Sequence, residues 1–224
     1  MSQLKLTADG GGGTVAIKGP ASTTGNNPFE LTVPGTASGN ILTSTSGSSI
    51  QVLEQFYSPC DGSTIATAGG NIALTNVTAD QAMTTSFATC TGSQISYLPP
   101  TGTTQVIYTF EFVLTSDSTD NGSIFSGKFK IDDSTIDDSR FTERLGNYHF
   151  DTLISFRFGI NIGGTSSTTT GRQASWTSAK TLKMEGSEYS GLPTKIHKVQ
   201  NYGSSTPSFF RRPSIGITAI GVPT

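Results

Sequence analysis

The chain has 224 residues, of which 33% are hydrophobic and only 13% charged, and its formal net charge is -2. That length suits one sizeable domain with an accessory segment rather than two large independent cores. The longest basic run is the pair Arg211-Arg212, so phosphate neutralisation has no footprint and nucleic acid is excluded as an expected partner. No stretch approaches the ~18 apolar residues of a membrane span, and Met1-Ser2-Gln3-Leu4 lacks the pattern of an export signal. A protein with no membrane contact is expected.

Abundant Gly, Ser and Thr make poor helix interiors, whereas Thr and aromatic residues fit a pleated surface. The 13 Phe and 6 Tyr supply anchors for a packed core. An all-β fold follows.

Residues 1–48 form a compositional unit. Short alternating pieces carry apolar positions Leu4 and Leu6, then Val15 and Ile17, then Phe29, Leu31 and Val33, separated by Gly- and Pro-rich turns. Each piece is too short and too polar to build a core alone, so it needs partners. The run Thr43-Ser44-Thr45-Ser46-Gly47-Ser48-Ser49 reads as a linker.

From residue 49 onward, longer strands with period-two alternation are expected. In 105–114, Val106, Tyr108, Phe110, Phe112 and Leu114 share one face, while Ile107 and Val113 are apolar on the other, as where a strand meets a neighbouring subunit. In 150–162, Phe150, Ile154, Phe156, Phe158, Ile160 and Ile162 oppose Asp151, Ser155, Arg157 and Asn161. Further strands are expected at 50–57, 72–77, 94–98, 124–131, 173–184, 195–201 and 215–220, with helical turns only at 138–145 or 79–84. Roughly eight to ten strands at this spacing indicate a β-sandwich, with a jelly roll as the leading form, over residues 49–224.

Motifs for chemistry are sparse. The glycine run at 10–13 before Val15-Ala16-Ile17-Lys18 imitates two kinase elements, but no His-Arg-Asp or Asp-Phe-Gly follows, and there is no phosphate-binding Gly-x-x-x-x-Gly-Lys loop. The repeated Ile-Asp-Asp-Ser puts Asp132, Asp133, Asp137 and Asp138 close together, an oxygen-rich set for Ca²⁺, although the calcium-loop pattern is missing. A solvated acidic loop is the plainer reading. Cys60 and Cys90 would close a loop of about 30 residues, worth roughly 3 kcal/mol if bonded. Two reduced thiols are an equal alternative for a protein made in a cytosol. His149 and His197 stand far apart with no nucleophile in a recognisable setting, so neither enzymatic activity nor a cofactor is expected.

The segment Leu4-Lys5-Leu6-Thr7-Ala8-Asp9, the glycines at 10–13 and Thr14-Val15-Ala16-Ile17-Lys18-Gly19-Pro20 resemble a segment at the front of virion structural proteins of marine tailed phages, notably those of cyanobacteria. Phe29-Glu30-Leu31-Thr32-Val33-Pro34-Gly35 continues that likeness. Ile95-Ser96-Tyr97-Leu98-Pro99-Pro100 and Arg212-Pro213-Ser214-Ile215-Gly216-Ile217 look like parts of the trimeric knobs found in such proteins. The resemblance implies an N-terminal attachment or trimerising segment (1–48) and a C-terminal jelly-roll-like knob (49–224), assembled as a homotrimer. It implies a protein on the outer surface of the virion, assembled in host cytoplasm, with the major capsid protein or other virion proteins as partners; such segments occur alike on capsid decoration proteins, head fibres and tail fibres. The lack of a long shaft favours the head over a tail fibre or receptor-binding protein. A carbohydrate-binding β-sandwich, with Trp176 and exposed tyrosines as stacking surfaces and a host-surface glycan as partner, is the reading from another class.

Overall fold

The computed structural model describes residues 3–7, 14–18, 50–116, 122–146, 151–199 and 209–223. The chain divides into two compact units, Met1–Thr45 and Ser46–Thr224. In the first, β1 (Gln3–Thr7) and β2 (Thr14–Lys18) form an antiparallel hairpin that pairs Leu4 with Ile17 and Leu6 with Val15. Phe29, Leu31 and Val33 lie outside the described residues.

The second unit contains β3 (Gln51–Pro59), β4 (Thr64–Thr67), β5 (Gly70–Ala73), β6 (Gln81–Ala82), β7 (Ala88–Thr89), β8 (Ile95–Tyr97), β9 (Thr103–Ser116) and β10 (Ser123–Ile131). It continues with β11 (Ser134–Thr135), β12 (Phe141–Leu145), β13 (Asp151–Asn161), β14 (Lys180–Glu188), β15 (Thr194–Ile196), β16 (Lys198–Val199), β17 (Phe209–Phe210) and β18 (Ser214–Gly221). Two six-stranded antiparallel sheets form a jelly-roll-like sandwich. In the long sheet, β9 has β13 along one edge, while β18 and β15 follow one another along its other edge; β3 flanks β18 and β6 flanks β15. In the second sheet, β10 is flanked by β14 on one side and by β12 and β11 on the other. The chain alternates between the sheets, running from β9 to β10, from β12 to β13, and back through β14 to β15.

Alternation along β9 and β13 follows the expected pattern. Val106, Tyr108, Phe110, Phe112 and Leu114 are buried, as are Phe156 and Ile160, while Ser155, Arg157 and Asn161 are exposed. Several local expectations are corrected. Residues 138–145 form no helix beyond a 3₁₀ turn at Asp137–Ser139, because β12 brings Phe141 and Leu145 onto the core side beside β10. The 79–84 stretch becomes β6, since Gln81 and Ala82 pair with β15. Strand structure begins at Lys180 rather than 173, with Trp176 in the preceding irregular segment. The expected 195–201 strand breaks at His197, whose φ is +68°. Val113, expected to face a neighbouring subunit, is buried within its own chain.

An aromatic seam joins the two sheets. Tyr108 meets Phe129 with ring centroids 4.8 Å apart, Phe112 meets Phe125 at 5.9 Å, and Phe141 meets Phe156 at 5.6 Å. Phe129 also lies 5.4 Å from Phe158. Tilted and offset rings at such spacings add about 0.5–1.5 kcal/mol per pair beyond burial. The seam needs Gly127, because a Cβ there would stand 2.3 Å from the Phe141 ring.

A polar knot closes one side of this core. The segment 89–93 is held by Gln81, which accepts the Thr91 amide at 2.7 Å, and by Tyr108, whose hydroxyl donates to the Ser93 carbonyl at 2.5 Å. His197 Nε2 lies 2.9 Å from the Thr91 carbonyl, which can only accept, so Nε2 carries the proton. Its Nδ1 finds no hydrogen-bond partner among the described residues. The ring is buried edge-on to Phe110 and Phe112. Burial lowers the His197 pKa from 6.5 to about 4; the Thr91 carbonyl and the Asp80 charge oppose the shift, and Lys195 pairs with Asp80 at 3.3 Å.

Phe129→Ala should cost about 3–5 kcal/mol and lower Tm by roughly 10 °C in a thermal melt, because the seam cannot collapse around the missing ring. The folded His197 binds its proton more weakly than the unfolded one, so its contribution is intact above pH 6.5 and is lost as pH falls toward 4. Urea unfolding should therefore show about 3 kcal/mol less stability at the acid end of that window, and His197→Gln should flatten part of this slope.

Candidate functional site

The outward faces of the two sheets differ in chemistry. On the sheet built around β10, Glu185 receives Lys128 and Lys130 at 3.2 Å each and Lys183 at 3.8 Å, and Lys128 also lies 4.1 Å over the Phe87 ring. Burial raises the Glu185 pKa, but the lysine partners outweigh it and the net shift is downward. Its charges are largely matched within the face.

The outward face of the long sheet is less charged. Strand register places Tyr57, Gly216, Thr109 and Arg157 in one row across β3, β18, β9 and β13. The next row holds Pro59, Ser214, Glu111 and Ser155. Tyr57 Oη donates to Glu111 Oε2 at 2.5 Å and Ser155 Oγ donates to Oε1 at 2.9 Å, so one carboxylate ties three strands together. The tyrosine reaches across β18 because Gly216 has no side chain; a Cβ there would stand 2.9 Å from the Tyr57 ring. The Tyr57 hydrogen bond lowers the Glu111 pKa against the opposing effect of desolvation, with help from Ser155, Arg211 and Arg157. Val52 at the far end of β3, Leu153 two residues before Ser155, and Tyr57 at this centre are at least half exposed, at 54%, 50% and 54%. A sheet face with exposed apolar groups, an aromatic and arginines at a matched centre has the composition of a docking surface. Both borders are open over most of their length: among the described residues β3 pairs only with β18, and β13 only with β9, apart from the Gln173 amide that bonds the Asn161 carbonyl at the end of β13. Long unpaired strand edges invite pairing with another chain.

The residues singled out from the sequence are dispersed. Asp132 and Asp133 occupy the β10–β11 turn with φ of +48° and +67°, as a tight hairpin turn demands. Asp132 accepts Lys180 at 2.8 Å and Asp133 accepts Lys183 at 2.6 Å, while Asp137 faces Arg140 at 3.5 Å. The turn is thus held by lysines, and the described residues contain no cluster of three or more His, Cys, Asp or Glu fit for a metal ion. Cys60 and Cys90 are both free and buried. Cys60 Sγ donates to the Gly92 carbonyl at 3.3 Å, and burial pushes its thiol up to about 12; burial raises Cys90 as well. Trp176 is no stacking surface. It is 7% exposed and its indole donates to the Tyr97 carbonyl at 3.1 Å. His149 lies outside the described residues. Sequence reasoning missed the Tyr57–Glu111–Ser155 bridge; the small residues Ser214 and Gly216 in the closing strand β18 were its only trace.

No protein-family model and no curated protein matches the chain. A solved structure of infectious bursal disease virus, Gx strain, is similar over 99% of this chain and 45% of that chain, with 14% identity and a TM-score of 0.30. The chain thus spans less than half the length of that protein, and a likeness this slight bears no weight for function.

In native protein at about pH 8, iodoacetamide should label neither cysteine, because the thiolates are suppressed by burial. In urea without reductant both should label, as counted by mass spectrometry; a Cys60–Cys90 bond would instead leave both unlabelled until reduced.

Proposed function

We propose that this chain is a structural protein of a virion exterior that works as a homotrimer, without catalysis. The observation that carries the reading is the long sheet's outward face, with its half-exposed Val52, Tyr57 and Leu153 between two open edges. Because β3 and β13 are opposite borders of one sheet, contact between them in successive copies is heterologous, and such contacts close as a three-membered ring when each copy is turned by a third of a circle from the last. The viral assignment rests on the resemblance of residues 4–43 and 212–221 to marine tailed-phage virion proteins. In this reading residues 1–48 attach to the major capsid protein or another virion protein, and residues 49–224 are displayed as a knob. Assembly takes place in host cytoplasm, and the finished protein stands on the outer surface as a capsid decoration or head fibre. Its work is mechanical, adding buried area between neighbouring capsid subunits.

Light scattering on the full chain should give three times the chain mass. Val52→Asp with Leu153→Asp should raise the concentration at which trimers dissociate by about tenfold or more, since charge is introduced into an apolar contact. A wild-type chain that stays monomeric at high concentration defeats the oligomer reading. Gold labelling of intact particles should decorate heads, whereas label confined to tail tips would transfer the protein to the tail fibres.

A further inference from the structure

At one end of the sandwich, the β10–β11 turn faces the loop at 166–173 across an open cleft of about 450 Å³, a size within the roughly 300–1,000 Å³ of small-molecule sites. Backbone bonds hold both walls. Ser167 N donates to the Arg172 carbonyl at 3.0 Å, and the amides of Asp137 and Asp138 donate to the carbonyls of Thr168 and Thr169 at 3.1 and 3.0 Å. Opposite, Asp132 N donates to the Thr181 carbonyl at 2.9 Å, and Thr181 N returns a bond to Asp132 Oδ1 at 2.8 Å. A cleft already ordered in this way loses little freedom on binding.

The charges in it are unequal. Asp132 Oδ2 holds Lys180 at 2.8 Å, which leaves the side chain of the second cation, exposed Arg172, without a hydrogen-bond or ion-pair partner among the described residues. Two cations against one carboxylate leave a single positive charge, carried by a planar fork suited to a carboxylate. Beside it stand the hydroxyls of Ser134 and Thr168 and the side chain of Gln173, whose Nε2 donates to the Gly171 carbonyl at 3.1 Å and leaves Oε1 to accept, over a floor that includes Ile136. Phosphate fits less well: the amides of Ser167, Thr170 and Ala174 are bonded within the loop, so they do not form an anion-holding nest. One charge ringed by hydroxyl and amide partners, with an apolar floor for C–H groups, matches a polyhydroxylated ligand bearing one carboxylate per ring.

We propose that this cleft binds a uronic-acid saccharide, with Arg172 gripping the carboxylate and Ser134, Thr168, Gln173 and Asp132 meeting the ring hydroxyls. That the saccharide belongs to a host-cell surface rests on the virion-exterior reading; the cleft itself does not.

Titrating the full-length protein with a short oligogalacturonate, followed by calorimetry and by amide chemical shifts, tests this. Binding at ~1 mM or tighter is expected, with shifts confined to 131–136 and 166–180, no binding of a neutral malto-oligosaccharide, and weakening in ~1 M NaCl. Arg172→Gln should weaken binding by about tenfold or more with Tm unchanged, and Arg172→Lys should recover part of the loss. The proposal is overturned if Arg172→Gln binds as wild type, if the neutral sugar binds equally, if dextran sulfate binds while the uronate does not, or if no uronate binding is seen. A monomeric chain or tail-tip labelling would defeat the virion or trimer reading while leaving this result unaffected.

Discussion

Everything in the second unit depends on the row of aromatic rings between its two sheets. Tyr108, Phe112 and Phe156 come from the long sheet, and Phe125, Phe129 and Phe141 from the sheet opposite, with centroids close enough to interlock. Such a seam demands strands long enough to present several rings in register, and β9, with fourteen residues, is that strand. It also demands absences of side chain, as at Gly127, where the Phe141 ring lies against the backbone. A core made of large, flat groups is intolerant of volume change, since close-packed interiors relax only partly around a void.

Because the seam draws the large apolar residues inward, each sheet's outward face is composed of what remains. One face is laced by lysines around Glu185 and largely matches its own charges. The other carries two carboxylates, Glu111, satisfied by Tyr57 and Ser155, and Asp151, which accepts the Thr115 hydroxyl at 2.8 Å, with Val52 and Leu153 exposed on the same face. The same fold therefore offers one face dense in ion pairs and one on which apolar and aromatic groups are exposed. The cleft beside the β10–β11 turn is a third environment, where Arg172 lies outside both arrangements.

Legibility in the sequence followed how local each cause was. The alternation in β9 and β13 is a period-two pattern set by one strand with one wet face, and burial follows it nearly residue by residue. Trp176 lacked such a pattern: it is buried in an irregular segment because the Tyr97 carbonyl and ring receive it, a contact between residues 79 positions apart. The acidic repeat invited a cation, yet the lysines that hold Asp132 and Asp133 come from β14, far along the chain. His197 interrupts its strand because its ring is needed beside Thr91, which no neighbour in sequence reveals.

By itself the sequence determined the all-β class, the long core strands and which of their faces is dry, because those properties follow from composition and from alternation within single segments. Tertiary structure alone decided which charges are matched, that Cys60, Cys90 and Trp176 belong to the interior, that Tyr57 reaches Glu111 across Gly216, and that the Arg172 side chain has no hydrogen-bond or ion-pair partner among the described residues. Those outcomes depend on which strands become neighbours, and in an antiparallel sandwich whose chain crosses repeatedly between sheets, neighbours in space are distant in sequence.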